Sequence, residues 1–454
     1  MTQGLTDTSW TRTDHLIESG PAQRSQTRKA LASGTLGSAL EWFDFAMYGA
    51  LSATVFPALF FAGLGQFGAL MASLATFGVG FVARPLGAVV CGYLGDRYGR
   101  RPILLATFIA MGASSLAIGL LPANKGATIA VVLVLLRVIQ GFALGGEATG
   151  AQLMTIENAK TNQRGIFGAL INIGSPLSQV LANTALVILG ASMSADAFQS
   201  WGWRIPFLAS LGLMVVGIYI RVRLEETPVF REQKAASDRQ VNGLAVLKSQ
   251  PWTVVKLILV RAGSNVTFYT LAVYGLKYLT GDAGLSRQAA FVIVLIANCV
   301  SVAAGLIGGR VSDRIGRKPV LAAAIVAQII GVAGFFPAAA SGNVALIVVT
   351  MTLAISAVQF EFGSQPALYA EQFPTSMRFT GSALALSFSQ VLFSAPAPLV
   401  AAALARSGSS WSIAAVNVVV LVVSVITVRW LRDNYRMDLA EIQPERVAAV
   451  TQHR

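Results

Sequence analysis

Two carboxylates, Glu41 and Asp44, sit three residues apart in the apolar stretch GTLGSALEWFDFAMYGALSATVFPALFF at residues 34–61. At that spacing they share one face of a helix with Tyr48. A charged side chain at membrane depth costs on the order of 2.5–3.5 kcal/mol, so an acid there is read first as functional. The chemistry open to it is to take up and release a proton, or to hold a cation. The plainer reading is a structural pair hydrogen-bonded to neighbouring helices.

Other charges are buried in the same way. Arg84, in GFVARPLGAVVCGYLGD, stands roughly 18 Å up a helix from Asp96. It calls for an anionic partner: Asp44, Glu41 or the carboxylate of a ligand. Arg137 and Glu147 share one run, LRVIQGFALGGEATGA, whose glycines 141, 145, 146 and 150 let another helix approach closely. Glu147 reads either as a proton carrier or as a helix tie. Arg261, Asn265 and Tyr269, at i, i+4 and i+8, form a polar stripe facing either a ligand cavity or hydrogen-bonding neighbours. Gln359, Glu361 and Gln365 make a further polar patch in AVQFEFGSQPALYAE.

Both histidines, His15 and His453, lie in the tails. An intramembrane proton carrier must therefore be a carboxylate, and Asp44, Glu41 and Glu147 are the candidates. There is no phosphate-binding loop, no metal-ligand spacing and no nucleophile–base constellation, so the reading calls for no enzyme, cofactor or metal. Cys91 and Cys299 read as small buried hydrophobes. Energy for uphill movement would come from an ion gradient.

The elements that must hold these groups follow from composition. Of 454 residues, 54% are hydrophobic and 12% charged, about half the charge of a soluble chain, and mean hydropathy is +0.64. About twelve runs are long enough to span a bilayer as helices. They lie near 34–61, 67–94, 103–122, 127–153, 165–191, 203–222, 253–280, 287–309, 319–340, 343–368, 379–404 and 411–430. The net charge of +13 concentrates in alternate loops, at Arg97, Arg100, Arg101, Lys160, Arg164, Arg223, Arg231, Arg310, Arg314, Arg317 and Lys318 among others. That asymmetry places both termini in the cytoplasm and argues against a nucleic-acid partner.

A polar stretch at 223–250 separates six runs from six. On either side one phrase recurs, GYLGDRYGRRP at 92–102 and GGRVSDRIGRKP at 308–319. It aligns Gly92 with Gly309, Asp96 with Asp313, Arg97 with Arg314, Gly99 with Gly316 and Arg100 with Arg317, and Arg101 follows. The glycine allows a tight turn, and Pro102 or Pro319 enters the first turn of the next helix. A repeat in matching positions predicts two pseudo-symmetric six-helix bundles with a site at their interface. The expected division is a tail 1–33, a bundle 34–222, a central loop 223–252, a bundle 253–431 and a tail 432–454.

The doubled phrase resembles the signature loop of the major facilitator superfamily. LEWFDF, FGVGFVARPLG, RVIQGFALGGE, SWGWRIPFL and EETPVF together resemble its metabolite:proton symporter branch, which includes shikimate, α-ketoglutarate, citrate and proline/betaine transporters. The wording at 75–102 and 200–208 is most like that of shikimate transporters. The resemblance covers 34–431 and implies an all-α membrane protein of twelve helices, monomeric, multi-pass in a bacterial inner membrane, working by alternating access. It implies that the doubled phrase is a latch between bundles. The first-helix acids and Arg84 would then belong to a central site walled by the first, fourth, seventh and tenth helices.

Glu361, where the branch carries an apolar or small residue, and FSAPAPL at 393–399, in place of a glycine pair, are departures. The expected activity is proton-coupled uptake of a small organic metabolite, with the arginines favouring a carboxylate such as shikimate or another organic or aromatic acid. A zwitterion of the proline or betaine kind, or multidrug efflux on the same fold, are the alternatives. Tyr48, Arg84, Arg137, Arg261, Asn265, Tyr269, Gln359 and Glu361 are the expected substrate contacts.

Overall fold

A computed structural model describes residues 39, 42–98, 100–123, 126–145, 148–157, 159–223, 243–406 and 410–442. Glu41, Gly99, Glu147 and most of the expected central loop lie outside these residues. The side chains of Gly92, Asp96, Arg97, Arg100 and Arg101 lie outside the description as well.

The described residues form helices and connecting turns. In chain order α1 covers 42–54 and resumes as Phe56–Phe60, α2 is Gly65–Tyr98 and α3 is Arg100–Leu120. Then α4 is Ala127–Gly145, continued by Ala148–Glu157, α5 is Arg164–Asn172 with Gly174–Ser192, and α6 is Ile205–Arg223. The second half repeats the order. There α7 runs Pro251–Tyr269 and ends in Gly275–Gly281, α8 is Arg287–Ile315, α9 is Arg317–Ala340 and α10 is Val344–Gln372. Last come α11, Thr375–Ser389 with Ala397–Ala405, and α12, Ser410–Val428.

Among the described residues, nine helical stretches are long and apolar enough to cross a bilayer. With α1, α3 and α6 they account for the twelve apolar runs. Leu86, Val89, Val131, Ile188, Val349 and Val419 stand exposed on the outside, a hydrophobic belt that fits lipid rather than water. Trp201, Trp252, Trp411 and Trp430 are exposed at or near helix ends, where amphipathic rings mark the membrane–water interface.

The same helix pairs pack in both halves. As α2 packs on α4, α3 on α4 and α3 on α6, so α8 packs on α10, α9 on α10 and α9 on α12. Between halves, α5 lies against α8 and α2 against α11, which are equivalent seams under that correspondence. The close α2–α4 crossing rests on Gly141 and Gly145, where a Cβ would run into the carbonyls of Gly80 and Arg84. Gly141→Leu is therefore expected to destabilise the protein by at least about 1–3 kcal/mol, the range for overpacking, read as a lower thermal unfolding midpoint in detergent.

Hydropathy does not reveal the interruptions. Pro57 cannot donate to the helical ladder, and α1 breaks at Val55 just before it. Thr270–Tyr274 in α7 and Gln390–Ser394 in α11 are π-helical turns, a form that recurs at functional sites. Both border an apolar cavity between α7, α11 and α12. Cys91 is buried as expected, whereas Cys299 is exposed on α8, because its face of the helix turns outward.

Candidate functional site

Asp44 lies in the interior of the first half and is buried, while neighbouring Trp42 is only partly so. Its Oδ2 accepts a hydrogen bond from Ser115 of α3, and Oδ1 has no partner among the described residues. Ser115 in turn accepts from Gln140 Nε2 of α4 at 2.6 Å, and Gln140 Oε1 accepts from Arg137. Arg137 is fully buried, with its guanidinium 3.9 Å from the Tyr48 ring centre and 4.3 Å from that of Phe45. Tyr48 hydroxyl bonds Thr76 at 2.6 Å. The result is a relay, Arg137–Gln140–Ser115–Asp44, across three helices.

This arrangement removes one of the three partners left open for Arg84. Asp44 does not pair with Arg84; the guanidinium coupled to it is Arg137. Arg84 lies 4.3 Å from the Phe45 ring centre and 4.6 Å from those of Trp42 and Phe81. Its Nη1 donates to Gln390 Oε1 of α11 at 2.8 Å, so Arg84 sits on the seam between halves. Tyr269 closes the same place from α7, its ring meeting Phe81 edge-on at 5.2 Å and Phe77 at a tilt at 5.8 Å. A guanidinium ringed by aromatic faces at the seam between the halves can recognise a carboxylate on a ring-bearing molecule.

The α7 stripe is real as a helix face but divides among neighbours. Arg261 donates to Gln365 of α10 and lies 4.2 Å from the Phe362 ring centre. Asn265 donates to Ser389 of α11 at 2.9 Å, and Tyr269 faces α2. Glu361 is fully buried and accepts from Ser264 of α7, from Gln328 of α9 at 2.9 Å and from Gln365 at 2.8 Å. Gln359 is buried too, but among the described residues its side-chain nitrogen has no partner and does not join this cluster.

The second copy of the doubled phrase ties the halves together. Gly316, at φ +97°, turns α8 into α9, a conformation glycine adopts without strain. Asp313 accepts from the backbone N–H groups of Gly165 and Ile166, at 2.7 and 2.9 Å, where α5 begins. A carboxylate there satisfies orphan donors and complements the helix dipole. Arg317 bonds Ser312 and Asp313 at 2.8 Å and holds both oxygens of Glu371, at 2.9 and 3.1 Å. Arg378 of the second half reaches Glu157 of the first at 2.8 Å. Gly309 and Gly165 pack so tightly that a Cβ on either would collide with the other's carbonyl. The side chains of Gly309 and Gly316 thus stay minimal for contact and turn, while Arg314 lies at the end of α8.

The halves also meet at the opposite end. A Cβ on Gly49 of α1 would lie 3.2 Å from Val273 of α7, and one on Gly78 of α2 would lie 3.1 Å from the Ala395 carbonyl. Gln288 of α8 donates to the Val187 carbonyl of α5 at 3.0 Å. Contacts at both ends enclose the Arg84–Tyr269 region.

Sequence reasoning passed over Ser115, Gln140, Ser264, Gln328, Glu371 and Gln390. Gln140 and Ser264 each stand three residues beyond an intramembrane arginine, a spacing that could have marked them. A serine in an apolar helix, such as Ser115, carries no such signal.

A model of the Major Facilitator Superfamily matches residues 34–398. The inner membrane metabolite transport protein YhjE of Escherichia coli is 35% identical over 402 residues, covering 86% of this chain and 90% of its own. The shikimate transporter of Escherichia coli is 32% identical over 428 residues, covering 92% and 98%. The fold matches a partially occluded inward-open structure of the xylose transporter XylE of Escherichia coli. That match has a TM-score of 0.71 at 16% identity, over 93% of this chain and 99% of that one.

Proposed function

The chain belongs to the major facilitator superfamily and is a secondary transporter of small metabolites, and on that premise we propose that it is a proton-coupled symporter of a small organic carboxylate. The observation that carries this reading is the Asp44 relay, in which a buried carboxylate is coupled to Arg137 through Ser115 and Gln140. An acid in that setting can exchange a proton, and the α4 arginine favours its return to the ionised form. Glu41 and Glu147 keep their place as further proton candidates from the sequence alone.

Arg84 supplies the anion specificity. A substrate carboxylate would take the Nη1 bond that Arg84 makes to Gln390, and the rings of Phe81 and Tyr269 would hold a cyclic or aromatic body beside it. The likeness to a shikimate transporter supports a cyclic acid. Gln390 and Tyr269 lie in the second half and Arg84 in the first, so such a substrate would draw the bundles together as alternating access requires. Asp313, Arg317 and the matching residues of the first copy would act as the gate at one end. The basic loops support both termini facing the cytoplasm of a bacterial inner membrane.

The test is uptake by proteoliposomes. An inward proton gradient should drive accumulation of shikimate or related cyclic acids, and an uncoupler should abolish it. A gradient that drives only efflux of lipophilic cations would refute the proposal. Arg84→Lys should weaken substrate binding by about ten-fold or more, because an ammonium cannot reproduce the planar fork of guanidinium; equilibrium binding to the purified variant measures it.

A further inference from the structure

The two halves each hold an acid–serine–glutamine triad. In the first it is Asp44 on α1, Ser115 on α3 and Gln140 on α4. In the second it is Glu361 on α10, Ser264 on α7 and Gln328 on α9. By the packing correspondence, α7, α9 and α10 stand where α1, α3 and α4 stand. Each half also carries an arginine bonded to a glutamine, Arg137 to Gln140 and Arg261 to Gln365. Acid and arginine have exchanged helices between the halves. The register that aligns Asp96 with Asp313 puts Arg261 at the position of Asp44.

Ser264 is placed to serve two protonation states of Glu361. Its Oγ is within hydrogen-bond reach of Glu361 Oε2 and also of Gln328 Oε1, at 3.1 Å, yet a hydroxyl carries one proton. When Glu361 is ionised, Ser264 donates to it. When Glu361 is protonated, its own O–H donates to Ser264, and the serine turns to Gln328 Oε1. Gln328 Nε2 and Gln365 Nε2 keep their bonds to the carboxyl group in both states. One hydroxyl rotation therefore satisfies either form without moving a heavy atom, in a site where an unsatisfied group would be costly.

The surroundings leave the proton free to come and go. Among the described residues no cation is in ion-pair contact with Glu361, and Arg261 of α7 acts through Gln365. Tyr369 of α10 is the other titratable group acting nearby, and its hydroxyl is committed to the Leu257 carbonyl at 3.0 Å. On the α9 side stands neutral Gln328, and α8 meets this stretch of α10 through Gly305 and Gly308.

We propose that Glu361, with Ser264 as its hydroxyl switch, is a second proton-binding site, in the half opposite Asp44. Proton binding at Glu361 stands on this geometry; its use in transport rests on the symport reading above.

Infrared difference spectra of the purified protein in lipid, recorded across a pH titration, test it. The wild type should show a protonated-carboxyl band that Glu361→Gln removes and Asp44→Asn retains. Ser264→Ala should move the midpoint of that band by about ten-fold or more in proton concentration and leave the Asp44 band in place. If Glu361→Gln does not fold, Glu361→Asp should shift the band's frequency and Ser264→Ala still reads its midpoint. A Glu361→Gln titration superposable on the wild type overturns the proposal, as does a band unmoved by Glu361→Asp and Ser264→Ala. Proton-driven uptake without a Glu361 band sinks this site alone, whereas a Glu361 band without proton-driven uptake sinks the symport reading alone.

Discussion

Asp44→Asn is expected to reduce accumulation against a gradient to simple equilibration while exchange of substrate across the membrane continues. With one proton moved per substrate, a ten-fold inward proton gradient supplies about 1.4 kcal/mol and drives about ten-fold accumulation. Asparagine keeps the shape of aspartate and can still accept from Ser115, so the relay to Gln140 and Arg137 persists. What it loses is the titration. Accumulation should fall from about ten-fold to one, measured in proteoliposomes with and without the gradient, while counterflow of labelled substrate is retained. Retained counterflow separates lost coupling from lost folding, since both assays use the same reconstituted protein.

Arg317→Ala is expected to have the largest effect on stability. The guanidinium is buried and shared between Asp313 and Glu371, and Glu371 is itself fully buried. Removing a partner from such a cluster strands a charge and costs about 3–5 kcal/mol. Arg164, 3.9 Å from Glu371, offsets only part of this, since its Nη1 is also bonded to the Met437 carbonyl. Asp313 would lose the cation that fixes it against the first turn of α5. The seam at that end should open as the protein weakens. A fall in thermal midpoint, together with faster labelling of a cysteine placed at Ile156, buried against Ala367 and Ala370, checks both consequences. Arg317→Lys should recover part of the stability, because one ammonium cannot hold both oxygens of Glu371.

The scaffold is legible in the sequence because lipid imposes it on every helix. Long apolar runs and a loop repeated in both halves lead to the twelve helices and their pairing. Buried charges are equally legible, since each violates that pattern: Asp44, Arg84, Arg137 and Glu361 are buried and Arg261 is half-buried. Their partners are not. In the sequence Arg84 is one of several charges open to Asp44, yet helix packing brings Arg137 to it through two neutral side chains. Ser115 and Gln328 are ordinary polar residues until three helices converge on them. The π turns depend on how neighbours pack, which no hydropathy pattern records.

The most direct measurement of coupling is the pH of the medium around weakly buffered proteoliposomes when substrate is added with no gradient imposed. Substrate entering with a proton should make the medium more alkaline at the onset of uptake, and Asp44→Asn should remove that change. Entry of substrate with no alkalinisation, or with acidification, would contradict proton symport through the Asp44 relay.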